Sequence, residues 1–327
     1  MNQIKNKFIL SPGYITGLTQ TDGSFSCGIS IINKRLINFR PVYQITVDLT
    51  SKHVLDSIFS YFGCGKITIE ITRHTATYQV TKITDLLNII IPHFNEHPLF
   101  CAKLHAFNLF KLIIEKLNNN IHKGIEGKKE IVKMALSMNK VTNRTPERIN
   151  EIYSILGILN GENLPLINNE IKKINTPITN NNIAGIIDGD GSFWVSFSEK
   201  GEIKPGFSIT TDTETIPLLE EIKKLFNNAG SIQKKKSTYS SYFVHGLKQI
   251  INIIIPFMDK NPLLSERADH YNIFRQVSLI LSTQKPLTLE KKLEIVELAY
   301  NANKSGKRRK INKVEYIELL KKIHLFK

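Results

Sequence analysis

The strongest constraint on this chain is that its opening motif occurs twice. The stretch Ile15-Thr16-Gly17-Leu18-Thr19-Gln20-Thr21-Asp22-Gly23-Ser24-Phe25 returns as Ile183-Ala184-Gly185-Ile186-Ile187-Asp188-Gly189-Asp190-Gly191-Ser192-Phe193. Each copy reads as a short, mostly apolar helix that ends at an Asp-Gly-Ser-Phe corner and becomes a strand. Gly23 and Gly191 fall where helices often finish in a left-handed residue. Further on, a constant offset of 164 carries Tyr43 to Phe207, Ile45 to Ile209, Phe62 to Phe226, Tyr78 to Tyr242, Pro92 to Pro256 and Pro98-Leu99 to Pro262-Leu263. Across the motif the offset is 190 − 22 = 168, so the first hairpin is 168 − 164 = 4 residues longer in the first copy. Self-similarity on this scale implies a duplicated unit. The expected fold is α+β, with αββαββα in each repeat: residues 1–160 form the first, 161–180 a linker marked by Pro165, Pro177 and an Asn cluster, and 181–327 the second.

Within each repeat the periodicity is legible. Phe25, Cys27, Ile29 and Ile31 alternate with Ser26, Gly28 and Ser30, and the next strand sets Tyr43, Ile45 and Val47 against Gln44 and Thr46. The helix over 51–62 is followed by strands at 66–71 and 75–80, and a helix over 85–91 is expected to stop at Pro92. One face of the motif helix is stripped of bulk: Gly13, Gly17 and Thr21 are four residues apart, and Gly185 and Gly189 repeat the spacing. Two such helices could meet backbone to backbone. Asp22 and Asp190 would then lie together at negative dipole ends, which disfavours two carboxylates unless a divalent cation lies between them. Read singly, each Asp-Gly is also an ordinary helix-ending turn.

Composition narrows the partners. Forty-four Lys plus Arg against 29 Asp plus Glu give +15, the electrostatic footprint of a nucleic-acid partner. The three cysteines have neither disulfide-framework nor zinc spacing, which fits a reducing compartment. No apolar run reaches the ~18 residues a membrane span needs, so no membrane partner is expected. Heavy use of Ile, Asn and Lys suggests an A/T-rich coding sequence and hints at an organellar, mitochondrial gene.

At these motifs the sequence resembles the single-chain, two-repeat LAGLIDADG homing endonucleases of introns. Both Asp-Gly-Ser-Phe corners, both hairpins, Tyr61-Phe62-Gly63-Cys64-Gly65-Lys66-Ile67, the two Pro-Leu pairs and Met138-Asn139 carry the resemblance. It implies that the motif helices form an interface between half-domains, and that two four-stranded antiparallel sheets make a saddle over double-stranded DNA. It further implies that Asp22 and Asp190 bind Mg²⁺ or another divalent ion such as Mn²⁺, helped by the carbonyls of Thr21 and Gly189, with Ca²⁺ binding without supporting cleavage. Lys103 and Arg267 fall where family members place basic residues near the scissile phosphates. Asp188, matched by Gln20, is not the acid credited with metal. The implied reaction is phosphodiester hydrolysis across the minor groove, leaving short 3′ overhangs and serving intron homing, by a monomer on one long asymmetric site.

The expected DNA-binding rows are Ser26, Gly28, Ser30, Gln44, Thr46, Lys66 and Thr68 with the basic turn Lys34, Arg35 and Arg40, and in the second repeat Trp194, Ser196, Ser198, Lys200, Ser208, Thr210, Gln233 and Lys235. Short polar side chains on an antiparallel ribbon can reach base edges in the major groove; a solvated sheet face would read the same. Trp194 fits a base contact or hairpin packing equally. Lys234-Lys235-Lys236 and Lys307-Arg308-Arg309-Lys310 fit backbone phosphates. Two alternatives stay open: an intron maturase that binds RNA with little or no cleavage, and a DNA-binding regulator without chemistry.

Overall fold

The computed structural model describes residues 10–139, 145–158, 174, 176–234, 238–283, 286–301 and 311–325. The chain divides into two compact units, Met1–Gly185 and Ile186–Lys327.

The first unit runs α1 (Pro12–Asp22), β1 (Gly23–Ile32), β2 (Leu36–Asp48), α2 (Lys52–Phe62), β3 (Lys66–Glu70), β4 (Thr75–Val80), α3 (Ile83–Asp85), α4 (Ile91–Glu96), α5 (Cys101–Asn118), α6 (Ile125–Ser137) and α7 (Pro146–Ile155). Its four strands form an antiparallel sheet in the order β1-β2-β4-β3. Phe25 on β1 is fully buried and packs against Tyr43 (5.1 Å between ring centroids), Phe94 (5.3 Å), Phe107 (5.4 Å) and Phe110 (5.3 Å). Each such burial contributes roughly 1.5–3 kcal/mol, so the inward row of the sheet is the core and the outward row is left for other work.

α8 (Asn180–Asp190) begins in the first unit and ends in the second, which continues β5 (Gly191–Phe197), β6 (Ile203–Asp212), α9 (Ile216–Leu225), β7 (Ser231–Lys234), β8 (Tyr239–Val244), α10 (Leu247–Gln249), α11 (Ile255–Lys260), α12 (Arg267–Thr283), α13 (Leu289–Asn301) and α14 (Lys313–Leu325). Its sheet repeats the topology as β5-β6-β8-β7. Phe193 takes the place of Phe25, packing on Phe207 (5.1 Å), Tyr271 (5.3 Å) and Phe274 (5.2 Å). The shorter β5–β6 hairpin packs on α14, where the ring of Tyr316 meets Phe197 at 4.8 Å. The α+β fold with two four-stranded antiparallel sheets is therefore the one expected from the duplication.

Two local expectations are corrected. Pro92 does not end a helix: a π-helical turn, Leu86–Ile90, joins α3 to α4, and the helix continues through the proline to Glu96. The second unit does the same at Ile250–Ile254 before Pro256. The wider turn makes room for the proline ring against the preceding turn and absorbs the missing N–H. Gly23, too, is not left-handed; its φ is −88°. It must be glycine because the strand leaves over the last helical turn, where a Cβ would lie 2.6 Å from the Thr19 carbonyl oxygen. The same Cβ at Gly191 would lie 2.3 Å from that of Ile187.

Candidate active site and nucleic-acid face

The motif helices end where the sequence placed them, and each is fixed to its own unit by polar contacts. In the first unit the Ser11 hydroxyl accepts from the Tyr14 N–H and caps α1, with Pro12 in its first turn. Thr19 Oγ1 and the Tyr43 hydroxyl lie 2.9 Å apart, tying α1 to β2, and burial pushes the Tyr43 phenol far above its usual range, so it stays neutral. Thr16 donates to the His97 carbonyl at 3.0 Å, and Gln20 Oε1 accepts the Phe100 N–H at 3.0 Å. The segment leading into α5 is thereby held against the underside of α1.

Lys103, three residues on from Phe100, donates to the Gly23 carbonyl at 2.5 Å. A cation is thus set at the carboxyl end of the motif helix, where the macrodipole is negative and Asp22 ends the helix. Thr21 turns its hydroxyl back to the Leu18 carbonyl at 3.0 Å.

The second unit builds the same corner with different atoms. Arg267 Nη1 donates to the Gly191 carbonyl at 2.5 Å, the counterpart of Lys103 on Gly23, and Nε donates to the Asp188 carbonyl at 2.7 Å. Its Nη2 donates to the Gly189 carbonyl, one of the oxygens implied as a metal ligand. Asp188, only 2 % exposed, accepts from the Leu264 N–H (2.7 Å), the Ser265 N–H (3.0 Å) and the Ser265 hydroxyl. Ser265 Oγ in turn accepts the Arg267 N–H at 3.2 Å. Asp188 is a positioning residue for the arginine, a role that reading along the helix missed. The available signal was its pairing with Gln20, since either side chain can accept from the backbone 76 to 80 residues onward. Asp188→Ala is expected to destabilise the second unit by about 1–3 kcal/mol, because it strands the half-buried donors of Leu264 and Ser265. Denaturant unfolding of the variant checks this; an unchanged midpoint would show the contacts to be incidental.

α8 is capped by reciprocal bonds, Thr179 N–H to Asn182 Oδ1 at 2.9 Å and Asn182 N–H to Thr179 Oγ1 at 3.2 Å, while Asn182 Nδ2 donates to the Gly13 carbonyl at 3.0 Å. The small-residue face is used within the first unit. A Cβ on Gly185 would lie 2.2 Å from the Tyr14 carbonyl oxygen and 2.7 Å from the Leu18 nitrogen. Only hydrogen fits there.

The expected reading rows lie on the sheet faces turned away from the aromatic cores. In the first sheet Ser26 pairs with Val42, Gly28 with Arg40 and Ser30 with Asn38. Ser24, Gln44, Gln79 and Lys66 form one level across four strands, and Thr46, Thr77 and Thr68 the next, with Thr46 and Thr77 hydroxyls 2.9 Å apart. Lys34, in a left-handed turn (φ 56°), and Arg35 are exposed at the hairpin tip. Gln79, Thr77 and Asn38 belong to these levels but were missed, because cross-strand register is not legible from one strand's alternation.

The second sheet repeats the Thr–hydroxyl pair as Thr210 and Ser241, 2.8 Å apart, with Gln233 opposite Ser241. Ser208 is 5 % exposed, so its expected availability is corrected. Ser196 donates to the Lys204 carbonyl on the paired strand at 3.0 Å, and Ser198 Oγ accepts the Glu202 N–H at the hairpin turn beside exposed Lys200. Trp194 packs edge-on to Phe243. Lys235, Lys236 and the run Lys307 to Lys310 lie outside the described residues.

A family model described as LAGLIDADG endonuclease matches residues 15–114 and 183–278. Among curated proteins, "Probable intron-encoded endonuclease 2" of Neurospora crassa is 29% identical over 296 residues, 88% of this chain; the chain spans 64% of that relative's length. "Probable intron-encoded DNA endonuclease 1" of Mycosarcoma maydis is 27% identical over 271 residues, 80% of this chain and 97% of that one. A solved structure of I-SmaMI bound to uncleaved DNA target in the presence of calcium ions superposes with a TM-score of 0.78 and 25% identity, covering 90% of this chain and 100% of that one.

Proposed function

Because this chain belongs to the LAGLIDADG endonuclease family, we propose that it is a site-specific DNA endonuclease that hydrolyses one phosphodiester in each strand of a long asymmetric duplex site. The observation that carries the reading is the doubled corner. In each unit a motif helix ends in an aspartate, Asp22 or Asp190, and a basic side chain, Lys103 or Arg267, is bonded to the carbonyl of the next residue.

The donor set suits a hard divalent cation, since it offers carboxylate and carbonyl oxygens and no sulfur or imidazole. Asp22 and Asp190 would hold the ion, helped by the Thr21 carbonyl; the Gly189 carbonyl already accepts from Arg267 and would have to serve both the guanidinium and the metal. A divalent ion such as Mg²⁺ or Mn²⁺, if held there, would supply Lewis acidity for phosphodiester hydrolysis. Lys103 and Arg267 keep positive charge at the helix ends where negative charge builds during hydrolysis. The Gln20 and Asp188 contacts fix those bases in place. The organellar intron origin suggested by composition is supported by the intron-encoded relatives, and we take the chain to act as a monomer.

The test is selection from a randomised duplex pool: recovery by binding in Ca²⁺, then transfer to Mg²⁺. The expected result is cutting of both strands at one family of sequences. Tight binding of intron RNA with no duplex cut would favour the splicing reading instead. Binding should also fall steeply with salt, the log–log slope growing by about 0.9 for each phosphate contacted. A near-flat dependence measured between low and physiological salt would place the +15 charge elsewhere.

A further inference from the structure

The two sheets offer different chemistry at matching register. In the first, the level across four strands is Ser24, Gln44, Gln79 and Lys66; in the second it is Ser192, Ser208, Phe243 and Ser231. Two residues further along the strand, on the same face, Ser26 opposite Val42 is replaced by Trp194 opposite Gly206. Amide and ammonium groups have given way to an aromatic cluster.

The cluster is built. A Cβ at Gly206 would lie 2.4 Å from two carbons of the Trp194 ring, so the indole lies across β6 only because that residue has no side chain. Trp194 meets Phe243 edge-on at 6.3 Å and His245 at 5.8 Å, and the Phe243 and His245 rings stack at 5.5 Å with 12° between planes. Phe243 is 8 % exposed, while His245 is exposed and Trp194 half-buried. The aromatic core of Phe193, Phe207 and Tyr242 lies on the opposite face of the sheet, and Phe243 is itself buried on this one. On the same face stand hydrogen-bonding Thr210 and Gln233 and Lys204, whose ammonium is paired with Glu202 at 2.7 Å.

We propose that the indole of Trp194, backed by the buried Phe243 and flanked by the exposed His245, forms an apolar contact for thymine 5-methyl groups in the major groove of the half-site that the second unit reads. The first unit reads its half by hydrogen bonds from Gln44, Gln79 and Lys66. Apolar side chains distinguish thymine by its methyl group, while Gln and Lys match the acceptor and donor edges of purines. The cluster is ill-suited to single-stranded bases, which stack on open aromatic faces, since Phe243 is covered and Trp194 is laid on β6. RNA carries no 5-methyl group on uracil. The inference rests on the proposed endonuclease function.

The experiment takes a duplex recovered by the wild-type protein in Ca²⁺ and replaces each thymine, one at a time, by deoxyuridine. One or two replacements, confined to one half of the duplex, are expected to weaken wild-type binding about fourfold each, the transfer free energy of one buried methyl. Trp194→Ser and Phe243→Gln, which install the first unit's residues, should weaken the thymine duplex to a similar degree and be indifferent to deoxyuridine at those positions. Trp194 is the only tryptophan, so its emission should shift when the duplex is added to wild-type protein. Silent replacements throughout, undiminished effects in both variants, or unchanged emission would overturn the inference while leaving a protein that binds and cuts its duplex. Failure of the pool to yield any bound duplex would instead remove the endonuclease reading, and this inference with it.

Discussion

Asp22→Asn and Asp190→Asn are each expected to abolish double-strand cutting in Mg²⁺ while leaving duplex affinity in Ca²⁺ within about threefold. Each change keeps the size of the side chain and the turn that ends the helix. What is lost is one formal charge from a carboxylate proposed to hold the cation. The rate should fall at least about 1,000-fold, roughly 4 kcal/mol of transition-state stabilisation. Folding should change by no more than about 1 kcal/mol, the scale of a charge at a helix end. Cleavage of an end-labelled duplex beside a binding isotherm in Ca²⁺ measures both quantities. Robust cutting of both strands by Asp190→Asn would show that the chemistry lies on other residues. Loss of binding in parallel with cutting would mean that the aspartate shapes the site rather than serving the reaction.

The largest structural effect is expected at Gly185. Even alanine there sets a Cβ 2.2 Å from the Tyr14 carbonyl oxygen and 2.7 Å from the Leu18 nitrogen, and neither backbone atom can swing aside. Gly185→Ala should cost about 3 kcal/mol or more, at the upper end of overpacking penalties. Gly185→Leu should fail to fold. Gly28→Ala is the control: its Cβ would meet only Arg40, at 3.6 Å, an ordinary contact. Urea unfolding of the three variants separates the cases, and a Gly185→Ala midpoint equal to that of Gly28→Ala would refute the close approach.

Much of this architecture was legible because the duplication supplied an internal alignment. The alternation of Phe25, Cys27 and Tyr43 against Ser26 and Gln44 located the sheets and their buried faces. The Asp-Gly corners located the helix ends, although Gly23 was required by proximity to Thr19 rather than by a positive φ. The misses share a cause. The Asp188 bonds to Leu264 and Ser265, the Arg267 fork over three carbonyls, and the pairing of Gln44 with Gln79 all join residues distant in sequence. Periodicity along one element reports which face is buried, not what crosses to meet it. Pro92 misled for a local reason, since a π-helical turn beforehand is invisible to a rule that treats proline as a stop.

The cross-strand register also says how such a protein could be retargeted. Ser24, Gln44, Gln79 and Lys66 lie at separate places in the gene yet cross the sheet as one rank, and Thr46, Thr77 and Thr68 form the next. A mutagenesis library that randomises consecutive codons would sample half its diversity inside the core and split every rank among different clones. A library organised by ranks, four codons at a time, would vary one band of bases per step and leave the neighbouring bands to hold the protein in frame on the duplex.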